Sequence, residues 1–166
     1  MSAERLIEMN VRWLEQAESL LARLDDETYE GRRIGCHLRH ILEFYECLLE
    51  GVATGVIDYD ARRRDAAVEQ SRAVAAARIQ HLKAALFGSA AFPGSMAVQV
   101  RMEDAGAADP LLLSTFAREL QVLSSHTVHH FAIVACALRD AGMPMDAEFG
   151  VAPSTLRYRQ SLREAA

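Results

Sequence analysis

The sequence predicts an all-α protein, a four-helix bundle with a small strand or hairpin inserted between its third and fourth helices. Three observations carry this prediction. Apolar residues recur at alternating steps of three and four along most of the chain. Segments rich in Asp, Gly or Pro interrupt that rhythm at intervals. One short stretch departs from it and alternates with a period of two.

Leu6, Asn10, Trp13, Ala17, Leu20 and Leu24 form one stripe of a first helix over about residues 3–24, with acids and arginines on the opposite face. "DDETYEGRR" breaks the pattern. A second stripe, Ile34, Leu38, Ile41, Tyr45, Leu48 and Val52, marks a helix that ends near Gly55. A third helix, about residues 65–87, is rich in alanine and carries Val74, Ile79, Leu82 and Leu86 before Gly88. Met96, Val98, Val100 and Met102 alternate between Pro and Gly borders, which reads as a strand or small hairpin. From Ser114, a candidate N-cap, the helical rhythm resumes through Phe116, Leu120, Leu123, Thr127, His130, Val134 and Ala137 to the stop at Gly142-Met143-Pro144. A polar tail follows.

A chain of 166 residues with no Pro/Gly/Ser-rich linker reads as one domain, residues 1–166. Hydrophobic residues at 51% against charged residues at 25% exclude a disordered chain. The net charge of -5, with both signs scattered, offers no footprint for nucleic acid. No run approaches the roughly 18 apolar residues of a membrane span. The segment "MSAERLIEMNVRWLEQAESLLARL" has neither a basic start nor a signal-like apolar core, and Cys36, Cys47 and Cys136 form no CxxC pair. These features lead us to expect a cytoplasmic protein with reduced thiols.

The chemistry-bearing residues are the histidines. In "LSSHTVHHFAIV", His126 and His130 lie four apart, which sets both imidazoles on one helix face. His129 is adjacent to His130 and cannot share that bite, so it reads as a neighbour. Catalytic metal sites usually take three protein ligands and keep one position open. The second helix offers His37 and His40 for the third, with Glu43 one turn beyond His40 and with Cys36 and Cys47 flanking that face. Glu43 can supply a supporting hydrogen bond or a further ligand. The bland alternative is a set of satisfied core histidines. Five of the six histidines fall in two helical clusters, and each neutral imidazole buried there needs a hydrogen-bond partner, which favours the metal.

"IGCHLRHILEFYECLLEG" together with "ARELQVLSSHTVHHFAIV" resembles the DinB/YfiT-like family of metal-dependent enzymes, and "IDYDARRRD" and "FGVAPST" extend the likeness over most of the chain. The resemblance implies an up-down-down-up bundle order. It also implies a metal set of one second-helix histidine and the HxxxH pair, which falls on His40, His126 and His130. The family includes bacillithiol transferases and a mycothiol-dependent isomerase, and its members often form dimers. A homodimer is therefore expected.

The leading functional expectation is an enzyme that holds one divalent ion, Zn or Ni ahead of Fe, and acts on a small molecule as a thiol transferase or hydrolase. A low-molecular-weight thiol is the expected partner and Glu43 the candidate proton acceptor. The alternative is a non-catalytic, metal-stabilised bundle that binds a small ligand or a protein. Arg62, Arg63 and Arg64 sit where a helix start disfavours cations. With Tyr59 they either hold an anionic substrate group or pair with Asp58, Asp60 and Asp65, and the second reading is preferred. Glu119 either approaches the site or pairs with Arg118 or a neighbouring helix, again with the second preferred. His81 is isolated and reads as a surface residue.

Overall fold

In the computed structural model, which describes residues 2–101 and 111–165, the apolar stripes become the long helices α1 (Ala3–Leu21), α3 (Ile34–Val52), α5 (Arg72–Gly88) and α6 (Phe116–Asp140). Each start has a local cause. Ser2 caps α1 by accepting from the Arg5 N–H, and Ser71 and Thr115 do the same for α5 and α6 at Val74 and Arg118. Helix α6 ends where Gly142 adopts φ 77°, ahead of Pro144. The buried faces of α1 and α3 pack against both α5 and α6, and Leu14, Leu38, Leu48, Leu86 and Leu123 are fully buried between them.

The break segment after α1 holds a short helix, α2 (Asp26–Gly31), capped by Asp25. The expected third helix divides into α4 (Ala66–Gln70) and α5, because Ser71 turns extended (φ -133°, ψ 112°) between them. Ser114 does not cap α6. It lies within a strand, and its hydroxyl donates to Glu119. The polar tail forms a helix, α7 (Pro153–Glu164), none of whose residues is buried.

Strands are present, so the all-α expectation is corrected to a mostly helical chain with a three-stranded sheet. The expected insertion supplies β2 (Ala97–Arg101) and β3 (Leu112–Thr115), which pair antiparallel with Val98 opposite Ser114. Met102, the end of the expected alternation, lies outside the described residues. The strand the sequence reading missed is β1 (Val56–Asp58), which pairs parallel to β2 with Ile57 opposite Val100. Ile57, Val98 and Val100 face the core, which is why the sheet packs there.

Two glycines on α3 permit close backbone approach. A Cβ on Gly51 would lie 2.5 Å from the Val56 carbonyl oxygen, where β1 begins. A Cβ on Gly35 would lie 1.9 Å from the Glu69 carbonyl oxygen of α4, a backbone atom that cannot rotate away. Gly35→Ala should therefore destabilise the protein by about 3 kcal/mol, the upper end of ordinary overpacking. Gly31→Ala, with nothing within 4 Å of the added methyl, should be neutral or slightly stabilising. Urea unfolding of the two variants tests the packing of α3 on α4.

Candidate metal centre

Helix α3 presents His37 and His40 to helix α6, which presents His126 and His130, and all four rings are half-buried. The ligand atoms of His40, His126 and His130 lie within 4.8 Å of one another. These are the three residues the sequence reading selected. His40 Nε2 and His126 Nε2 are 3.0 Å apart. Two nitrogens on a tetrahedral ion at about 2.0–2.1 Å would stand roughly 3.3 Å apart, so this pair already has the required bite.

His37 belongs to the arrangement in a different way. Its Nδ1 lies 3.0 Å from His130 Nδ1. With Nδ1 engaged there, His130 keeps Nε2 for the centre, the pattern in which a ligand's second nitrogen is held by a partner. His126 has no such support, since its Nδ1 is buried without a hydrogen-bond partner. A buried polar atom left without a bond is costly, and here the cost falls on the nitrogen opposite the one that meets His40. His129 is exposed and stands outside the converging group, as expected from its position. His81 is exposed as well.

The rings are kept neutral. Burial is the main cause at each, pulling the pKa of His40 and of His126 down to about 4 and that of His130 to about 3. The positive charge of Arg62 adds to the effect at His40 and His126. At neutral pH these imidazoles carry free lone pairs, the form that binds a metal. The chemistry of the donor set suits a borderline divalent ion such as Zn or Ni, without selecting between them.

Around the rings the sequence reading is partly corrected. Glu43 is buried, and its Oε1 accepts the backbone N–H of Asp65 at 2.7 Å. It is not among the converging ligand atoms. Asp65 in turn pairs with Arg78 of α5 at 2.9 Å, so the segment between β1 and α4 is tied to α3 by Glu43 and to α5 by Arg78. Glu119 does not pair with Arg118. It accepts from Tyr59 Oη at 2.9 Å and from Ser114.

The three arginines separate. Arg63 pairs with Glu50, and Arg64, at φ 53°, donates to the Arg62 carbonyl. Arg62 lies 4.7 Å above the Phe44 ring. Phe44, which the sequence reading passed over, touches the rings of both His126 (4.2 Å) and His40 (4.8 Å) and stacks on Tyr59 (4.9 Å). Its position four residues beyond His40 was the available signal. Cys47 is buried with its thiol pushed up to about 11, and Cys36 donates to the Arg33 carbonyl. Cys136 is exposed. None of the three joins the histidine group.

No family model matches the chain, and no solved structure matches it. Among curated proteins, FK506-binding protein 5 of Rhizopus delemar is 27% identical over 105 residues. The aligned stretch covers 62% of this chain and 27% of that protein, so the chain spans about a quarter of its relative's length. At that identity and coverage the likeness assigns no family.

Two outcomes follow from the geometry. His40→Ala, His126→Ala or His130→Ala should abolish stoichiometric metal binding, His37→Ala should weaken it by about 10–100-fold, and His81→Ala should leave it unchanged. Isothermal titration with Zn checks the series, and full retention in His126→Ala would remove that residue from the set. The second outcome concerns pH. A histidine with a lowered folded-state pKa takes up its proton on unfolding, so its contribution to stability is lost as pH falls from about 6.5 toward 4. The urea midpoint of the metal-free protein should fall across that window, and His130→Leu should flatten the fall relative to the parent.

Proposed function

We propose that this protein is a metal-dependent enzyme in which His40, His126 and His130 hold one divalent ion and a small molecule reacts beside it, by thiol transfer or hydrolysis. The observation that carries the reading is the convergence of three neutral imidazoles from two helices, separated by 86 residues of chain, on one point. The likeness of the second-helix and HxxxH segments to the DinB/YfiT-like family supports it. The neighbour relations of α1, α3, α5 and α6 are compatible with the up-down-down-up order that family implies.

A divalent ion bound there would supply Lewis acidity, lowering the pKa of a water or thiol at its open position. The chain's own residues do the rest. His37, whose Nδ1 lies 3.0 Å from His130 Nδ1, would hold His130 with Nε2 free for the ion. Phe44 walls the centre on one side and limits water there. Glu43 fastens the Arg62-bearing segment to α3, and in this reading it is a positioning residue rather than the proton acceptor. Among the described residues, no helix is long and apolar enough to cross a membrane. A cytoplasmic setting and a homodimer complete the proposal, and the exposed Leu112, Leu113 and Leu162 supply apolar surface for an interface.

Protein purified without a histidine tag and without added metal should contain close to one divalent ion per chain by elemental analysis. Chelation should lower its melting temperature, because an ion bound only by the folded state stabilises that state. Protein that carries no metal and takes up none at micromolar Zn would overturn the reading. In the cobalt-substituted protein, an absorption spectrum that shifts on adding exogenous thiol identifies an open coordination position. A spectrum indifferent to every added ligand would favour the non-catalytic bundle.

A further inference from the structure

We infer that Arg62 is the anion-binding arm of the three-histidine centre, and that the small molecule taken there carries a carboxylate. The inference rests on the metal reading above and names the substrate class that reading leaves open.

Arg62 differs from Arg63 and Arg78, which are paired, and from Arg64, which forms no ion pair either but is exposed. Arg63 is paired with Glu50, and Arg78 with Glu46 and Asp65. Arg62 makes no ion pair among the described residues, although it is only partly exposed. A partly buried guanidinium without a counter-charge carries a desolvation cost that an arriving anion would relieve. Its position is fixed from two sides. The Phe44 ring lies 4.7 Å beneath it, and Nη1 donates to the Tyr59 carbonyl. That leaves the Nε and Nη2 edge with no bond to a described residue. Two parallel N–H groups on one edge match the two oxygens of a carboxylate.

The edge is also in the right place. Phe44 touches Arg62 and the rings of His40 and His126, so the guanidinium stands one aromatic ring from two members of the centre. The backbone that carries it is secured, through Asp65, to Glu43 of α3. The converging group itself brings three neutral rings and no acid. An ion there, together with Arg62, makes a cationic pair that a small molecule with one metal-binding group and one carboxylate can neutralise at both ends.

The test compares two thiols that differ only at the far end, mercaptoacetate with a carboxylate and 2-mercaptoethanol with a neutral alcohol. Cobalt content of the full chain is measured first. Each thiol is then titrated at fixed pH, with the sulfur-to-cobalt charge-transfer band as readout and affinities compared per thiolate. The parent protein should bind mercaptoacetate about tenfold more tightly, the increment of one charge-assisted hydrogen-bonded pair. Arg62→Gln should lose that preference while keeping its cobalt and its affinity for 2-mercaptoethanol, and Arg62→Lys should keep part of it. Equal affinities in the parent overturn the inference without touching the metal reading. So does a preference that survives in Arg62→Gln, which would mean that the carboxylate chelates the ion itself. A parent chain that binds no cobalt overturns both.

Discussion

The arrangement depends on a small hydrogen-bonded cluster buried between three helices. Asn10 of α1 donates through Nδ2 to the carbonyls of Leu6 and Leu120, and its Oδ1 accepts from Tyr45 Oη of α3 at 2.7 Å. Tyr45 Oη is also 3.2 Å from Thr127 Oγ1 of α6. All three side chains are fully buried, so each bond lost would leave a polar group stranded in the core. Apolar packing tolerates a slide along a helix far better than such a cluster does. The cluster therefore sets the register of α1, α3 and α6 at once. Thr127 is the residue next to His126, and Tyr45 lies five beyond His40, so the same bonds fix the heights of the imidazoles facing one another.

The centre works against the ordinary preferences of a core. Four imidazoles meet between α3 and α6, where four leucines would bury more apolar surface and need no partners. Burial keeps the rings uncharged, and two close nitrogen pairs give most of them a neighbour. His126 Nδ1 remains the exception. Arg39 Nε, on the residue before His40, is likewise buried without a partner, and a site that departs from local optimality is where function is expected to sit.

Much of this was legible in the sequence because it is local. The stripes of α1, α3 and α6 have helical period, and two histidines four apart on a helix must share a face. The segment "DDETYEGRR" concealed α2 because six residues are too few for periodicity to register, although Asp25 three residues before Thr28 was a capping signal. The division at Ser71 escaped because no Gly or Pro marks it. Strand β1 is three residues long, and its partner β2 lies some forty residues away, so its existence depends on a pairing that no local pattern encodes. The site divides in the same manner. Spacing paired His126 with His130 and the family resemblance chose His40 over His37, whereas the direction of the Glu43 carboxylate and the stacking of Phe44 between Arg62 and the histidines are facts of tertiary packing.

The contact between His40 and His126 closes a span of 86 residues, which runs from α3 through the sheet into α6 and excludes both α1 and α7. In polymer terms, tying those two points together would act as a long-range cross-link, removing more disorder from the unfolded chain the longer the loop it closes. Such a tie divides the molecule into a knotted-off interior and two free ends. The interior would gain resistance to thermal opening. Helix α1 would be held by its packing and by side-chain bonds such as those of Asn10, Trp13 and Glu18, and α7, with no buried residue, by less still. The order in which the chain comes apart would then be written by the position of two histidines.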